Sequence, residues 1–374
     1  MDELRASASG TATYRDRFKG LVDESHFRES GGLTLSSIGL GTYLGHHDEQ
    51  TDQSYAGAIK RALELGVNVV DTAANYRFQR SERVIGEVLA SLIADGKIAR
   101  DEIVIATKGG YVPFDGAPPG SRKEMNDYLE RTFVQSGICT RDDFVQNSHS
   151  MAPRYLAHQL EQSLRNLKVR TIDIYYVHNP EAQFAGVDRE VFRTRLRAAF
   201  EFLESAASEG LIAKYGVATW NGFRVAPSSP EFLSLLELVE TAREVAGDDH
   251  HFGVVQLPLN LAMREALTLA NQPLEDTHVP LLEAANEFGV TVMSSATLLQ
   301  SRLASGLPET VAESFAGVAT DAQRAIQFAR SAPGVATALI GMARASHVEE
   351  NLLVSRIPRA TMAAYIKLFG GLGE

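Results

Sequence analysis

Short apolar runs rich in β-branched residues alternate along the chain with amphipathic helical patterns. Such runs predict strands at residues 35–40, 67–71, 103–108, 172–178, 215–218, 254–257, 290–293 and 335–340. Between these runs apolar residues recur at helical spacing, as in Leu156, Leu160, Leu164 and Leu167. Stripes of this kind are typical of helices that pack on a sheet. The alternation therefore predicts repeated βα units and a parallel sheet.

Eight strands that alternate with helices predict an α/β fold of the (β/α)8 TIM-barrel class. The alternative is an open, doubly wound sheet, which would have a glycine-rich turn after its first strand and a helix directly behind it. Residues 39–42 (GLGT) carry only part of that motif, and no helical pattern starts there. The sequence therefore favours the closed barrel.

One domain is predicted over residues 30–357, because no linker or shift in composition divides this region. Residues 1–29 form an N-terminal extension and residues 358–374 a C-terminal segment. A stretch without regular pattern, about residues 109–150, predicts a long loop inserted after the third strand. Long loops in compact domains are usually functional, and this one is rich in aromatic residues. We expect it to cover the mouth of the barrel.

Charge and cysteine content narrow the functional classes. Lysine and arginine number 36 against 47 acidic residues among 374, a net charge of −11, which argues against a nucleic-acid partner. The single cysteine, Cys139, excludes a disulfide within the chain and a cysteine metal cluster. No metal is expected, since the pair His46 and His47 is the nearest approach to a ligand set. Neither a secretory signal nor a bilayer-spanning apolar run is recognised, so we expect a cytoplasmic protein without a membrane partner.

Polar residues that can handle protons end three successive predicted strands. Asp71 ends the second, Lys108 the third and His178 the fourth, and Tyr76 follows Asp71 after a short loop. In a barrel these ends meet at one rim. A carbonyl under reduction needs a proton, which a tyrosine can deliver if a nearby ammonium lowers its pKa. Singly each residue fits an ordinary structural role, but the four together predict a catalytic site.

The sequence resembles the aldo/keto reductase family from about residue 33 to 354. The resemblance rests on residues 39–42 (GLGT), 68–76 (NVVDTAANY), 81–86 (SERVIG), 106–108 (ATK), 172–181 (IDIYYVHNPE), 216–221 (GVATWN), 339–341 (LIG) and 349–352 (EENL). It implies an NAD(P)H-dependent oxidoreductase on a TIM barrel that reduces an aldehyde or ketone by hydride transfer. Its catalytic residues would be Asp71, Tyr76, Lys108 and His178, with Tyr76 as the general acid.

The resemblance also implies a cofactor site. Its residues would be Gly41, Thr42, Tyr43, Asp71, Thr219, Gln256, Ser295, Leu298, Gly341, Arg344, His347, Glu350 and Asn351. NADP(H) is favoured because Arg344 can pair with a 2′-phosphate, and NAD(H) stays open. Ser295 departs from the family, which has an aromatic ring there against the nicotinamide. Trp220 or Tyr43 could supply the missing ring.

The substrate is expected to be a small carbonyl compound or a sugar. Tyr43, Tyr111 and Trp220 are the candidate pocket residues. Residues 176–181 (YVHNPE) resemble a bacterial branch with aldose dehydrogenases, so NAD-dependent sugar oxidation is one alternative. An NADPH-binding regulatory or sensor subunit with little turnover is another. The sequence predicts no oligomeric state.

Overall fold

Strands and helices alternate along the computed structural model, which describes residues 4–315 and 317–370. In chain order the strands are β1 (Phe27–Ser30), β2 (Leu33–Ser36), β3 (Ile38–Gly41), β4 (Val69–Asp71), β5 (Val104–Gly109), β6 (Ile172–His178), β7 (Ile212–Ala218), β8 (Phe252–Pro258), β9 (Gln272–Leu274), β10 (Thr277–Val279), β11 (Thr291–Ser295) and β12 (Val335–Gly341). The helices are α1 (Ala8–Asp16), α2 (Glu49–Glu64), α3 (Arg80–Ala94), α4 (Arg122–Leu129), α5 (Pro153–Leu167), α6 (Arg189–Ser208), α7 (Leu235–Ala246), α8 (Glu265–Thr268), α9 (Leu281–Glu287), α10 (Glu309–Ser314), α11 (Asp321–Ser331), α12 (Ala345–Asn351) and α13 (Met362–Gly370).

Eight parallel strands close into a barrel, which confirms the predicted α/β (β/α)8 fold. The strands β3 to β8 pair in chain order, and β11 and β12 complete the ring between β8 and β3. The first predicted strand, residues 35–40, is wrong as one element because it spans the end of β2 and the start of β3. Ser37 separates the two, and its backbone N–H donates to the carbonyl of His26 (2.6 Å) where the chain turns into the barrel.

Alternation along the strands decides which side chains enter the barrel. Ile174 and Tyr176 of β6 belong to an interior cluster, so His178 is the next inward position and lies at the carboxyl end. The same alternation brings Lys108 of β5 and Asp71 of β4 inward at their ends. Residues between these positions face the surrounding helices and form the larger core. The sequence thus places its polar strand ends in the barrel interior.

The amino-terminal end of the barrel is covered by the β1–β2 hairpin and the chain before it. Asn68, just ahead of β4, accepts from the backbone N–H of Ser36 (2.8 Å) and donates to the carbonyl of Thr34 (2.8 Å). The backbone N–H of Ala6 donates to Asp173 Oδ1 (2.6 Å) at the start of β6. The opposite, carboxyl end therefore remains as the accessible end of the barrel.

The insertion after the third barrel strand, residues 109–150, is present but is not irregular. It contains α4, a π-helical turn at Glu130–Val134 and a 3-10 turn at Arg141–Asp143. Its apolar residues Val112, Leu129, Phe133 and Phe144 form a separate small core together with Tyr155 of α5. Glycines, prolines and charged residues interrupt the helical spacing of apolar residues in this stretch of sequence. For that reason the sequence did not predict these helical segments.

Two of the predicted flanking segments are only partly described. Residues 1–3 of the N-terminal extension and 371–374 of the C-terminal segment lie outside the described residues. Within the described part of the chain, α13 packs on α10, and the hydroxyl of Tyr365 donates to the carbonyl of Phe328. Across 4–315 and 317–370, no helix combines the length and apolar character needed to cross a membrane.

A buried histidine beneath the barrel predicts a pH-dependent contribution to stability. His26 is fully buried, with its ring nitrogens 3.0 Å from Ser37 Oγ and 3.0 Å from the carbonyl oxygen of Gly66. Burial lowers the pKa of His26 from 6.5 to about 3, and the cations of Arg330 and Arg28 add to the shift. Below pH 6.5 the unfolded chain therefore binds a proton at His26 that the folded chain does not. The free energy of unfolding consequently decreases as the pH falls below 6.5.

We expect the advantage of the wild type over His26→Phe in unfolding free energy to shrink by about 1.4 kcal/mol per pH unit between pH 6 and pH 4. Urea unfolding of both proteins across this range measures it. Comparing the two proteins cancels the titration of other groups. A difference that stays constant with pH would show that folding does not lower the pKa of His26.

Candidate active site

The carboxyl ends of β4 and β5 are joined by a buried ion pair. Lys108 Nζ donates to Asp71 Oδ1 (2.6 Å), to Asp71 Oδ2 (2.8 Å) and to the carbonyl oxygen of Thr72 (2.7 Å). Gln256 Nε2 donates to Asp71 Oδ2 (2.8 Å) from β8, which is four strands away around the ring of eight. All three donor positions of the ammonium are thus used, and the carboxylate is held from both sides of the barrel.

Burial and pairing act in opposite directions on the two charges. Burial raises the pKa of Asp71, while Lys108 and the amide of Gln256 oppose that rise. Burial also lowers the pKa of Lys108, and the Asp71 carboxylate opposes that fall. Each group therefore depends on its partner to stay charged, and loss of either one would leave an unpaired charge inside the barrel.

Tyr76 lies on the turn after β4 and packs over this ion pair. Lys108 Nζ is 5.0 Å from the centroid of the Tyr76 ring, and the ring meets Tyr43 and His178 edge to face, with centroids 5.0 and 5.8 Å apart. Burial raises the pKa of Tyr76 well above 10, and Asp71 and Tyr43 add to the rise. This direction is opposite to the expected lowering by Lys108, because burial dominates the pKa and the Asp71 carboxylate opposes the effect of the ammonium. The phenol therefore keeps its proton at neutral pH, as a proton donor must.

The backbone after Tyr76 makes an unusual turn into α3. Arg77, Phe78 and Gln79 all have positive φ, at 49°, 58° and 70°. Residues other than glycine seldom adopt this conformation, so three in succession need support from their surroundings. Arg77 provides it, since its buried guanidinium donates to the carbonyl of His46 (2.8 Å) and packs on the ring of Tyr55. The turn fixes where the chain leaves Tyr76.

His178 is held neutral. Burial lowers its pKa well below 6.5, and the nearby Lys108 and His149 lower it further. Its Nδ1 atom is buried without a hydrogen-bond partner among the described residues. A neutral imidazole carries one N–H, so His178 can donate a single hydrogen bond to an oxygen in the adjacent cavity.

A cavity of about 460 Å³ opens above these groups at the carboxyl end of the barrel. The predicted site residues that line it are Gly41, Thr42, Tyr43, Asp71, Tyr76, Tyr111, His178, Thr219, Trp220, Gln256, Ser295, Leu298 and Gly341. Lys108 does not line the cavity, because it lies behind Asp71. The structure therefore brings three of the four predicted catalytic side chains to one wall and places the fourth in direct contact with them.

Further cavity residues were not predicted from the sequence. They are Leu44, Asn75, Asn179, Ala218, Ala296, Thr297, Gln300, Ser301 and Leu339. Asn75 and Asn179 directly adjoin Tyr76 and His178, so their position in the sequence was a usable signal. Gln300 and Ser301 gave no such signal. They line the cavity because the loop after β11 has a left-handed backbone conformation, which the sequence does not indicate.

That loop follows β11. Ala296, Leu299, Gln300 and Ser301 have φ values of 54°, 45°, 53° and 70°. Asn260 Nδ2 donates to the carbonyl of Ala296 (2.9 Å) and fixes its start. Such backbone strain in residues other than glycine persists only where the surroundings impose it, and it concentrates at ligand sites.

Four predicted cofactor residues lie away from the cavity. They are Arg344, His347, Glu350 and Asn351, which belong to α12 or to the residue before it. Arg344 is exposed and makes no side-chain hydrogen bond or ion pair within the described part of the chain. Gly341, which lies three residues before Arg344, lines the cavity. The four residues therefore follow the cavity wall in the chain and lie toward the outer surface.

The cavity wall offers polar and aromatic groups suited to a nicotinamide. Thr219 Oγ1 is buried and has no hydrogen-bond partner in residues 4–315 and 317–370. An amide can satisfy that hydroxyl. At Ser295 no ring is present, but Tyr43 and Trp220 line the same cavity and are 55% and 40% exposed. Among the described residues, no group of three or more His, Cys, Asp or Glu side chains could hold a metal ion.

Known proteins resemble this chain in sequence and in fold. It is 27% identical over 208 residues to a 6-dehydroglucose reductase of Novosphingobium aromaticivorans, covering 54% of this chain and 53% of that protein. It is 26% identical over 191 residues to an NADH-specific methylglyoxal reductase of Escherichia coli, covering 50% and 49%. The chain thus spans about half the length of the curated relatives it matches.

Solved structures share the fold over nearly the whole chain. An aldo/keto reductase from Klebsiella pneumoniae in complex with NADP and acetate has a TM-score of 0.60 at 20% identity, over 92% of this chain and 94% of that one. A glycerol dehydrogenase from Gluconobacter oxydans has a TM-score of 0.61 at 20% identity, over 94% and 96%. At this identity the likeness shows the fold alone.

A sequence model of the aldo/keto reductase family matches residues 37–227. That range covers just over half of the chain and contains the segments around Asp71, Tyr76, Lys108 and His178. Since the barrel and this match agree, the chain belongs to the aldo/keto reductase family.

Proposed function

We propose that this protein is an NAD(P)H-dependent oxidoreductase that reduces an aldehyde or ketone to an alcohol. Residues 30–357 are the proposed unit that carries the activity. The observation that supports it most is the shared wall of the cavity, where the phenol of Tyr76 and the neutral imidazole of His178 stand over the Asp71–Lys108 pair. Tyr76 acts as general acid.

Each protein group has a separate task in this proposal. Bound nicotinamide supplies the hydride. Tyr76 gives its proton to the carbonyl oxygen, and His178 donates a hydrogen bond to the same oxygen and orients it. The phenolate that remains on Tyr76 lies over the ammonium of Lys108, which favours the charge. Asp71 holds that ammonium in place.

The nicotinamide is proposed to lie against Thr219 and Ser295, with Trp220 or Tyr43 as the aromatic partner. Gly41, Thr42, Gln256, Leu298 and Gly341 would line the rest of the site, and Arg344, His347, Glu350 and Asn351 would hold the adenosine end. Gln256 would serve in two ways, because its amide already supports Asp71. Arg344 favours NADP(H), because a free guanidinium suits a phosphate.

A single arginine substitution tests this preference. We expect Arg344→Ala to weaken NADPH binding about 10-fold, or about 1.4 kcal/mol, and to leave NADH binding unchanged. Fluorescence titration of the purified protein with each dinucleotide measures both. Arg356→Ala is the matched control, since Arg356 is also exposed and also lacks a side-chain partner in the described structure. Equal losses for NADPH and NADH would refute the role of Arg344.

The substrate is proposed to be a small carbonyl compound or a sugar. Tyr43, Tyr111 and Trp220 offer aromatic faces to the cavity, and Asn75 and Asn179 offer amides beside the catalytic pair. Such a lining can contact the apolar and hydroxylated faces of one ligand. The similarity to a 6-dehydroglucose reductase supports a sugar-like substrate. In the alternative direction the same groups would act in reverse and oxidise a sugar with NAD.

One experiment tests the proposal as a whole. The wild-type protein is titrated with NADPH and NADH, and the preferred cofactor is then used in a screen of aldehydes, ketones and sugars. We expect tight binding of at least one dinucleotide and turnover of at least one carbonyl compound. If neither dinucleotide binds, the oxidoreductase proposal fails.

A further inference from the structure

A second histidine lies behind His178 and comes from the insertion. His149 is 1% exposed, and its Nε2 atom is 2.6 Å from the carbonyl oxygen of His178. Its Nδ1 atom is 2.8 Å from Gln183 Nε2. The insertion therefore reaches the backbone of a proposed catalytic residue through one buried side chain.

The hydrogen-bond network fixes which nitrogen of His149 carries the proton. Arg195 Nη1 donates to Gln183 Oε1 (2.6 Å), so the NH2 group of that amide must face His149. Nδ1 of His149 accepts from it, and Nε2 carries the hydrogen and donates to the His178 carbonyl. Burial lowers the pKa of His149 to about 4, with Arg195 adding to the effect, so the ring stays neutral at pH 7.

The ring of Tyr111 packs against both the His149 and the His178 imidazoles. Its ring meets His149 and His178 edge to face, with centroids 5.0 and 5.1 Å apart. Gly110 allows the close approach, because a Cβ at this position would lie 2.8 Å from His149 Nε2 and 3.1 Å from the His178 carbonyl oxygen. Gly110 also has a φ of +138°, which other residues seldom adopt. The local backbone is thus shaped around this contact.

We propose that His149 is a positioning residue for the catalytic site. It holds the backbone of His178 and packs against Tyr111, and in this way fixes the orientation of the His178 imidazole. The position of the proposed hydrogen-bond donor in the cavity therefore depends on the fold of the insertion. This inference rests on the proposed function, in which His178 donates to the substrate oxygen. The route from Arg195 through Gln183 to His149 ties that orientation to α6, outside the barrel.

The main test is His149→Phe, which keeps a ring against Tyr111 and removes both hydrogen bonds. We expect kcat to fall about 10-fold while the Kd of the cofactor changes less than twofold. The carbon-13 and nitrogen-15 shifts of the His178 ring should differ from those of the wild type, because the ring is no longer held in one orientation against Tyr111. His149→Gln can donate to the His178 carbonyl through its amide, so it should restore kcat to within about threefold of the wild type.

The matched control is His26→Phe. His26 is also a buried, neutral histidine with two hydrogen-bonded ring nitrogens, but it lies at the opposite end of the barrel. It should lose a similar amount of stability and keep kcat and the His178 spectrum. If His149→Phe behaves like His26→Phe in all these measurements, the positioning role is refuted.

A milder variant covers the case in which His149→Phe does not fold. Arg195→Met frees the amide of Gln183 without emptying the buried site, so we expect a two- to threefold loss of kcat and the same kind of change in the shifts of the His178 ring. An unchanged spectrum would refute the proposal. The spectra are recorded without cofactor or substrate, so they test positioning separately from turnover. If the His178 ring shifts change in the variants but the wild type reduces no carbonyl compound, the proposed function fails, whereas the effect of His149 on the orientation of the His178 ring stands.

Discussion

Replacing Tyr76 with phenylalanine should lower kcat about 10³-fold and change the Kd of the cofactor by less than twofold. The substitution removes the proton donor and keeps the ring that packs against Tyr43 and His178. Burial and Asp71 hold the pKa of Tyr76 well above 10, so the lost group is a phenol that is protonated throughout the neutral range. Steady-state kinetics and a cofactor titration measure the two quantities.

Tyr128→Phe is the matched control for this experiment. Tyr128 lies in the insertion and donates from its hydroxyl to the carbonyl of Pro113 (3.0 Å), away from the cavity wall. It should leave kcat unchanged. If the wild type and Tyr76→Phe bind cofactor equally and share the same slow turnover, the regulatory or sensor alternative replaces the proposal of a catalyst.

Replacing Lys108 with methionine should destabilise the protein by about 3–5 kcal/mol and abolish turnover. The loss of stability follows because the Asp71 carboxylate would remain buried without its counter-ion. Turnover fails because no ammonium remains to favour the phenolate on Tyr76. Urea unfolding measures stability, and Lys123→Met, which breaks an exposed pair with Asp127, should leave it nearly unchanged.

The double variant Asp71→Asn/Lys108→Met separates the two effects. It removes both charges, so about 2 kcal/mol or more of the lost stability should return relative to the sum of the single variants. Turnover should not return. Strictly additive losses of stability would show that the two charges do not support each other, which would contradict the geometry of the pair.

Alternation in the sequence was sufficient to place the main site residues. Asp71, Lys108 and His178 each end an apolar run, and the two-residue period of a strand turns them inward at the same end of the barrel. The segments that resemble the family then added the candidate cofactor residues around Thr219 and Gly341. These predictions depended on local pattern, which a single sequence carries well.

Contacts between distant segments could not be predicted in this way. The direction of the Tyr76 pKa depends first on the burial of its ring and then on the nearby Asp71 carboxylate, and no spacing in the sequence reports either. The bond from His149 to His178 depends on how the insertion folds over its own small core. The predicted strand at residues 35–40 merged the end of β2 with β3, because only Ser37 separates the two apolar runs.

The hydrogen bond from Gln256 to Asp71 crosses the barrel and joins the two halves of the chain. The four proposed proton-handling residues all precede α6, together with Gly41, Thr42 and Tyr43 of the proposed cofactor site. The other proposed cofactor residues, among them Thr219, Ser295 and Leu298, follow it. Arg344, the proposed determinant of cofactor preference, also follows α6, so the proposed chemistry and the proposed preference lie in different halves of the chain. A chimera that takes everything after α6 from a relative would carry that relative's residues at the positions of Thr219, Ser295 and Leu298. It would need to keep the amide of Gln256, which donates to Asp71.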